Sequence, residues 1–126
     1  MDPSLKATIA FSMSKNRIRI HRNTLSALGD PSHVVLIVNP EEKTLGIKCS
    51  TPDNVLAHRI DPHPANGKLN CELYSKSLFI ALKSLCPFMT TNNAWSFDGT
   101  VFPAEKMAVF ALVPSNNKTT EYEDLS

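Results

Sequence analysis

Polar and apolar residues alternate through much of this chain, and the period lengthens to three or four in only two short windows. "RIRI" (17–20) alternates strictly, as a strand with one buried face does. Ile18 and Ile20 are expected in the core. Arg17 and Arg19 are expected on the opposite face, with Lys15 and His21 in register with them. Upstream, "ATIAFSM" (7–13) is rich in strand formers and "SKNR" has the composition of a turn. "RNTLSALGDPS" (22–32) changes period. Leu25 and Leu28 lie three apart, Asn23 suits an N-cap, Gly29 suits the C′ position and Pro31 bars continuation. A helix of about two turns is not stable alone, so its leucines must dock on a sheet.

"HVVLIVN" (33–39) is a continuous β-branched run with the pattern of a buried strand, "PEEK" (40–43) is a polar turn, and "TLGIKCS" (44–50) returns as the partner of a hairpin. Residues 51–67 read as a connector with one extended piece at 55–60, because Pro62 and Pro64 oppose a central strand beyond it. The pattern then returns. "KLNCELY" (68–74) is a strand. "SKSLFIALKSLCP" (75–87) is a helix capped by Ser75 or Ser77, striped by Leu78, Leu82 and Leu85, and stopped by Pro87. "AWSFDGTVF" (94–102), "PAEK" and "MAVFALV" (107–113) make a second hairpin. The halves, about 7–50 and 68–114, therefore read strand–helix–hairpin twice. The echo is visible in letters: "IHRNTLSAL" against "LYSKSLFIAL", and "NPEEKTLGI" against "FPAEKMAVF". Two units this small are best stabilised by sharing a core, which predicts one compact domain over 1–114. "SNNKTTEYEDLS" (115–126) is polar, acidic and aperiodic, and is expected to be a disordered tail.

Composition adds limits. The 126 residues are 42% hydrophobic and 20% charged, the balance of a folded globular chain. No apolar run approaches the ~20 residues of a bilayer span, and the N-terminus has an acidic second residue and no apolar h-region, so a cytoplasmic protein without a membrane partner is expected. The three cysteines, Cys49, Cys71 and Cys86, are irregularly spaced among apolar residues and are expected to be buried, reduced thiols. The net charge of +1 hides an asymmetry: between Pro3 and Gly29 there are Lys6, Lys15, Arg17, Arg19 and Arg22 and no acid. That quarter of the chain could attract a polyanion; the whole molecule would not.

The unit "RIRIHRNTLSALGDPSHVVLIVNPEEKTLGIK" (17–48) resembles the swapped-hairpin domain of AbrB-type and MraZ-type bacterial transcription factors. The matching letters are Arg17, Ile18 and Ile20 in the strand, Arg22 at the basic turn, Leu28-Gly29 at the helix end, and the hairpin from Val34 to Ile47. The second half resembles the same unit more faintly, with Lys76 in place of Arg22, and a doubled unit is similar to the tandem arrangement of MraZ. The chain also resembles small uncharacterised bacterial proteins with the same doubled pattern. It departs from the family at His21, where proline is usual, at "DPSH", where "GD" is usual, and at Glu72 and Tyr74. The resemblance implies an α+β, mainly β, fold whose two repeats pack as a pseudo-symmetric swapped-hairpin or barrel-like unit. Either the two repeats close on each other or two chains form a homodimer. It also implies DNA binding by a transcriptional regulator through Arg17, Arg19 and Arg22; Lys15 joins them from the alternation.

Alternate strand positions lie about 6.5–7 Å apart, close to the phosphate spacing of a single strand. Two readings of the basic strand stand: a phosphate-contacting ridge, or a solvated face balanced by acids across the sheet. Trp95 and Phe97 share one strand face. They pack a core, or, on an edge strand, form a protein-binding patch of an interaction or inhibitory module of a mobile element. His58, His63 and Asp61 lie between Cys49 and Cys71 without the spacing of a zinc site, so no metal or cofactor is expected. No catalytic motif is present, Asp61, His63 and Cys71 make a triad only on paper, and an enzyme is not expected.

Overall fold

The computed structural model describes residues 5–60 and 70–118. In chain order these form β1 (Leu5–Ser12), a 3-10 turn (Met13–Lys15), β2 (Arg17–His21), α1 (Arg22–Ala27), β3 (His33–Asn39), β4 (Thr44–Ser50) and β5 (His58–Arg59). They continue with β6 (Asn70–Tyr74), α2 (Lys76–Leu85), β7 (Ala94–Phe102) and β8 (Met107–Ala111). All eight strands join one antiparallel sheet in the order β5-β3-β4-β8-β7-β1-β2-β6, curled into a nearly closed, barrel-like wall. The fold is mainly β with two short helices, as the patterning predicts.

Alternation explains the interior. Register places Ile9 opposite Ile20 and Phe97, and Phe110 opposite Leu45 and Gly99, so every second residue of each strand points inward. Ile9, Ile18, Ile20, Leu45, Phe97 and Phe110 are all fully buried. Phe11 meets Phe79 and Phe97 edge-on, both at a centroid separation of 5.9 Å. Burying each such side chain contributes about 1.5–3 kcal/mol before entropy is counted.

The helices close off strand ends. α1 starts one residue before Asn23 because β2 runs extended to His21, which becomes the N-cap without a side-chain bond. Thr24 makes the connection instead: its hydroxyl accepts from Thr8 N at 3.0 Å and lies 3.4 Å from Thr8 O, at full burial. It thus satisfies β1 where β2 has turned away. α1 ends as expected at Gly29, whose φ of 88° lets Asp30 N reach Leu25 O at 2.8 Å and Gly29 N reach Ser26 O at 3.0 Å. α2 is capped by Ser75, whose hydroxyl accepts from Leu78 N at 3.2 Å. It buries Leu78, Phe79 and Leu82, while Leu85 of the expected stripe is only half-buried.

Three expectations are corrected. Lys15 belongs to the 3-10 turn and not to β2, because Asn16 takes a left-handed φ of 51° between them. In the stretch 55–60 only His58–Arg59 is strand, and Val55 and Leu56 are exposed. Residues 115–118, expected within a disordered tail, are tied to β7. Asn116 Nδ2 donates to Asp98 O at 2.9 Å, Ser96 N donates to Asn117 Oδ1 at 3.1 Å and Lys118 N to Ser96 O at 2.6 Å. The rest of that tail, and residues 61–69, lie outside the described residues. Among the described residues no helix is long and apolar enough to cross a membrane.

Candidate nucleic-acid interface

β2 lies between β1 and β6, so its outward residues stand in the middle of three strands. Arg17 is paired in register with Ser12 on one side and Tyr74 on the other; Arg19 is paired with Ala10 and Glu72. Both arginines are half-buried among these neighbours. Arg19 Nη2 donates to Glu72 Oε2 at 2.8 Å, with the two side chains 33% and 24% exposed, so this ion pair is sheltered but not dry. Arg19 Nε is buried and has no acceptor among the described residues. Arg17 makes no ion pair among them. Arg22, at the start of α1, has Nη2 3.6 Å from Asp30 Oδ1 and is largely exposed. The four expected basic residues are therefore not one ridge. Arg17 and Arg19 share the outer face of β2, Lys15 projects from the turn before it, and Arg22 sits beyond its far end.

The fold adds two residues that sequence reasoning did not place here. Ser75 N donates to Asn16 O at 3.1 Å, which fastens the start of α2 to the turn between Lys15 and Arg17. Lys76 and Tyr74, both exposed, thus join Lys15 and Arg17 at one end of the β2–β6 ribbon. Matching of the two halves pairs Lys76 with Arg22. Antiparallel pairing of β2 with β6 instead carries the two to opposite ends.

Trp95 and Phe97 are not a surface patch. β7 is an interior strand between β8 and β1, and both side chains face inward, 6% and 0% exposed. Trp95 Nε1 donates to Met89 O at 2.9 Å and to Asn92 O at 3.0 Å, and its ring stacks on Phe97 and meets Phe88 edge-on. Exposed apolar residues lie elsewhere, at Val55, Leu56 and Ile80 and on the outer faces of β3 and β7, where Ile37 and Phe102, each 44% exposed, have Val35, Met107 and Val109 half-buried around them. The unbroken β-branched run of β3 reads as buried on both sides, but only Val34 is fully so.

Cys49, Cys71 and Cys86 are thiols. Burial pushes the Cys49 and Cys86 thiols up, opposed by the Lys106 and Lys43 ammonium groups respectively, so neither is activated as a nucleophile. Cys49 Sγ donates to Leu28 O at 3.3 Å and Cys86 Sγ to Leu112 O at 3.8 Å. His58 lies in β5, while Asp61 and His63 fall outside the described residues. Among the described residues no three metal-ligating side chains gather. No protein-family model, no curated protein and no solved structure matches this chain.

Proposed function

We propose that this protein is a cytoplasmic DNA-binding regulator of the bacterial swapped-hairpin type and holds duplex DNA against the outer face of its β2–β6 ribbon. The observation that carries the reading is the gathering of Lys15, Arg17 and Lys76 beside exposed Tyr74, with Arg19 next along the strand and Glu72 the acid across from it. His21 and Arg22 supply the other end. From residue 17 to residue 21 the ribbon runs about 14 Å along its strands, whose spacing of about 4.8 Å is narrow against a major groove of about 12 Å, and two-stranded ribbons are an established means of reading that groove.

The register supports a doubled unit. In β2–β6 the pairs Arg17–Tyr74 and His21–Asn70 stand symmetrically about Arg19–Glu72; in β4–β8 the pairs Thr44–Ala111 and Lys48–Met107 stand symmetrically about Gly46–Val109. Cys49 N donates to Lys106 O at 3.0 Å, and Leu112 N donates to Lys43 O at 2.9 Å, a matched exchange. Both hairpin turns end on a lysine in the left-handed region, Lys43 at φ 55° and Lys106 at φ 52°. The hairpins also cross over: β7 pairs with β1, the strand before β2, and β3 pairs with β5, the strand before β6. A pseudo-dyad through Arg19–Glu72 suits the local dyad of a duplex.

The test is a duplex titration at two salt concentrations. Affinity falls steeply with salt, and Lys76→Ala combined with Arg17→Ala weakens binding and flattens the slope by about 0.9 for each phosphate no longer neutralised. Absence of binding at low salt, or binding unchanged in the double variant, defeats the reading. A second reading, a protein-interaction module, is favoured by the apolar outer face around Ile37 and Phe102. It predicts a protein partner retained after nuclease treatment and lost in Phe102→Ser.

A further inference from the structure

Beside the ribbon lies a hollow of about 190 Å³ on the outer surface, lined by Ala10, Ser12, Arg17, Arg19, Asn93 and Ala94. We propose that this hollow is a phosphoryl-binding subsite. Its floor is built from small side chains, because register sets Ser12 opposite Ala94 on β7 while the next strand sets Arg17 opposite Ser12 and Arg19 opposite Ala10. Two guanidinium groups therefore stand along one wall of the basin, whose lining also includes the buried Phe11 and Trp95.

The charged groups lining the basin are both cations, Arg17 and Arg19. The Arg17 side chain makes no ion pair or hydrogen bond among the described residues. Glu72 takes Arg19 Nη2 and so fixes the plane of that guanidinium, leaving its buried Nε–H without an acceptor. Asn93 is clamped with both its acceptors engaged: its backbone O accepts from Met13 N at 2.7 Å and its Oδ1 from Ser14 N at 2.5 Å. Its Nδ2 remains to donate. Arg19 Nε is closed to solvent, so an oxyanion seated in the basin meets the exposed part of the Arg19 guanidinium and gives Arg17 a bidentate partner. A tetrahedral phosphoryl group fits the volume with a few waters to spare.

The phosphate can belong to a duplex backbone or be free in solution, and only for the first source does the inference rest on the nucleic-acid reading. The full chain, ¹⁵N-labelled, is titrated separately with inorganic phosphate and with a short DNA duplex while the Arg17 and Arg19 Nε–H and Asn93 Nδ2 signals are followed. These signals shift saturably with phosphate. Ala94→Glu, which sets a carboxylate against both arginines, and Arg17→Ala each weaken that response at least about tenfold, with amide signals away from the basin unmoved. Shifts at the same atoms with duplex support the subsite and identify a backbone phosphate as its occupant. Shifts with phosphate but no duplex binding support the subsite and defeat the nucleic-acid reading alone. Duplex shifts confined to Lys15, Tyr74 and Lys76, with the basin silent to both ligands, overturn the subsite alone. Silence to both ligands overturns both, and a phosphate response unchanged in Ala94→Glu overturns the subsite.

Discussion

The β2–β6 and β4–β8 ribbons are built alike and finished differently. Each is an antiparallel pair joining the two halves of the chain, and each buries apolar residues inward: Ile18, Ile20 and Leu73 in one, Leu45, Ile47 and Phe110 in the other. Outward, the first has Arg19 against Glu72 at its centre with Arg17 and His21 flanking; the second has Gly46 against Val109 at its centre with Thr44 and the exposed Lys48 flanking, beside Ile37 and Met107. Inward chemistry is held constant because one core must be filled to crystal-like density. Outward chemistry is not constrained by packing, so the two outer faces are free to differ, and under the proposed reading that difference selects the partner.

Substitutions that act on the shared interior should affect both ribbons equally and most severely. Gly99→Ala has the largest expected effect. A Cβ there would clash with Val109 O and would lie 2.5 Å from Phe110 Cδ2, so the ring between the two halves must move. The expected loss is about 3 kcal/mol, read as the shift of a denaturant midpoint. Thr24→Val comes next. It removes the fully buried Thr24 hydroxyl that serves the half-buried Thr8 N and O and should cost about 2 kcal/mol, whereas Thr24→Ser should recover most of it. A valine variant as stable as the parent would show that α1 does not complete β1.

Glu72→Gln separates charge from stability. The ion pair with Arg19 is partly solvent-screened, so stability should fall by less than about 1 kcal/mol. The outer face gains one positive charge, and duplex affinity at low salt should rise roughly threefold. Weaker duplex binding would mean that the hold of Glu72 on the Arg19 guanidinium outweighs the charge it removes from the face. Phe102→Ser should be the mildest change. The side chain is 44% exposed, so stability should move by no more than about 0.5 kcal/mol and duplex affinity not at all. A fall in duplex affinity would erase the contrast between the two faces.

Much of the fold was legible in the residues. Strict alternation in "RIRI" placed Ile18 and Ile20 inside, Ser75 and Ser77 narrowed the cap of α2 to two serines, Gly29 marked the end of α1, and the two polar turns fixed both hairpins. The candidate interface was half legible. Alternation put Arg17 and Arg19 on one face, but one left-handed residue, Asn16, removed Lys15 from their register. Lys76 and Tyr74 could not be assigned because their position depends on which strand β6 joins.

The sequence by itself therefore determined most of the elements, their inward faces and the cap at Gly29, because periodicity, turn chemistry and β-branching act over a few residues. Tertiary structure alone decided that Trp95 and Phe97 are core, that Glu72 faces Arg19, and that Ser75 ties Lys76 beside Arg17. Each of these depends on strand order and register, and those are set by how one core can be filled by two halves at once, a property no local window of residues contains.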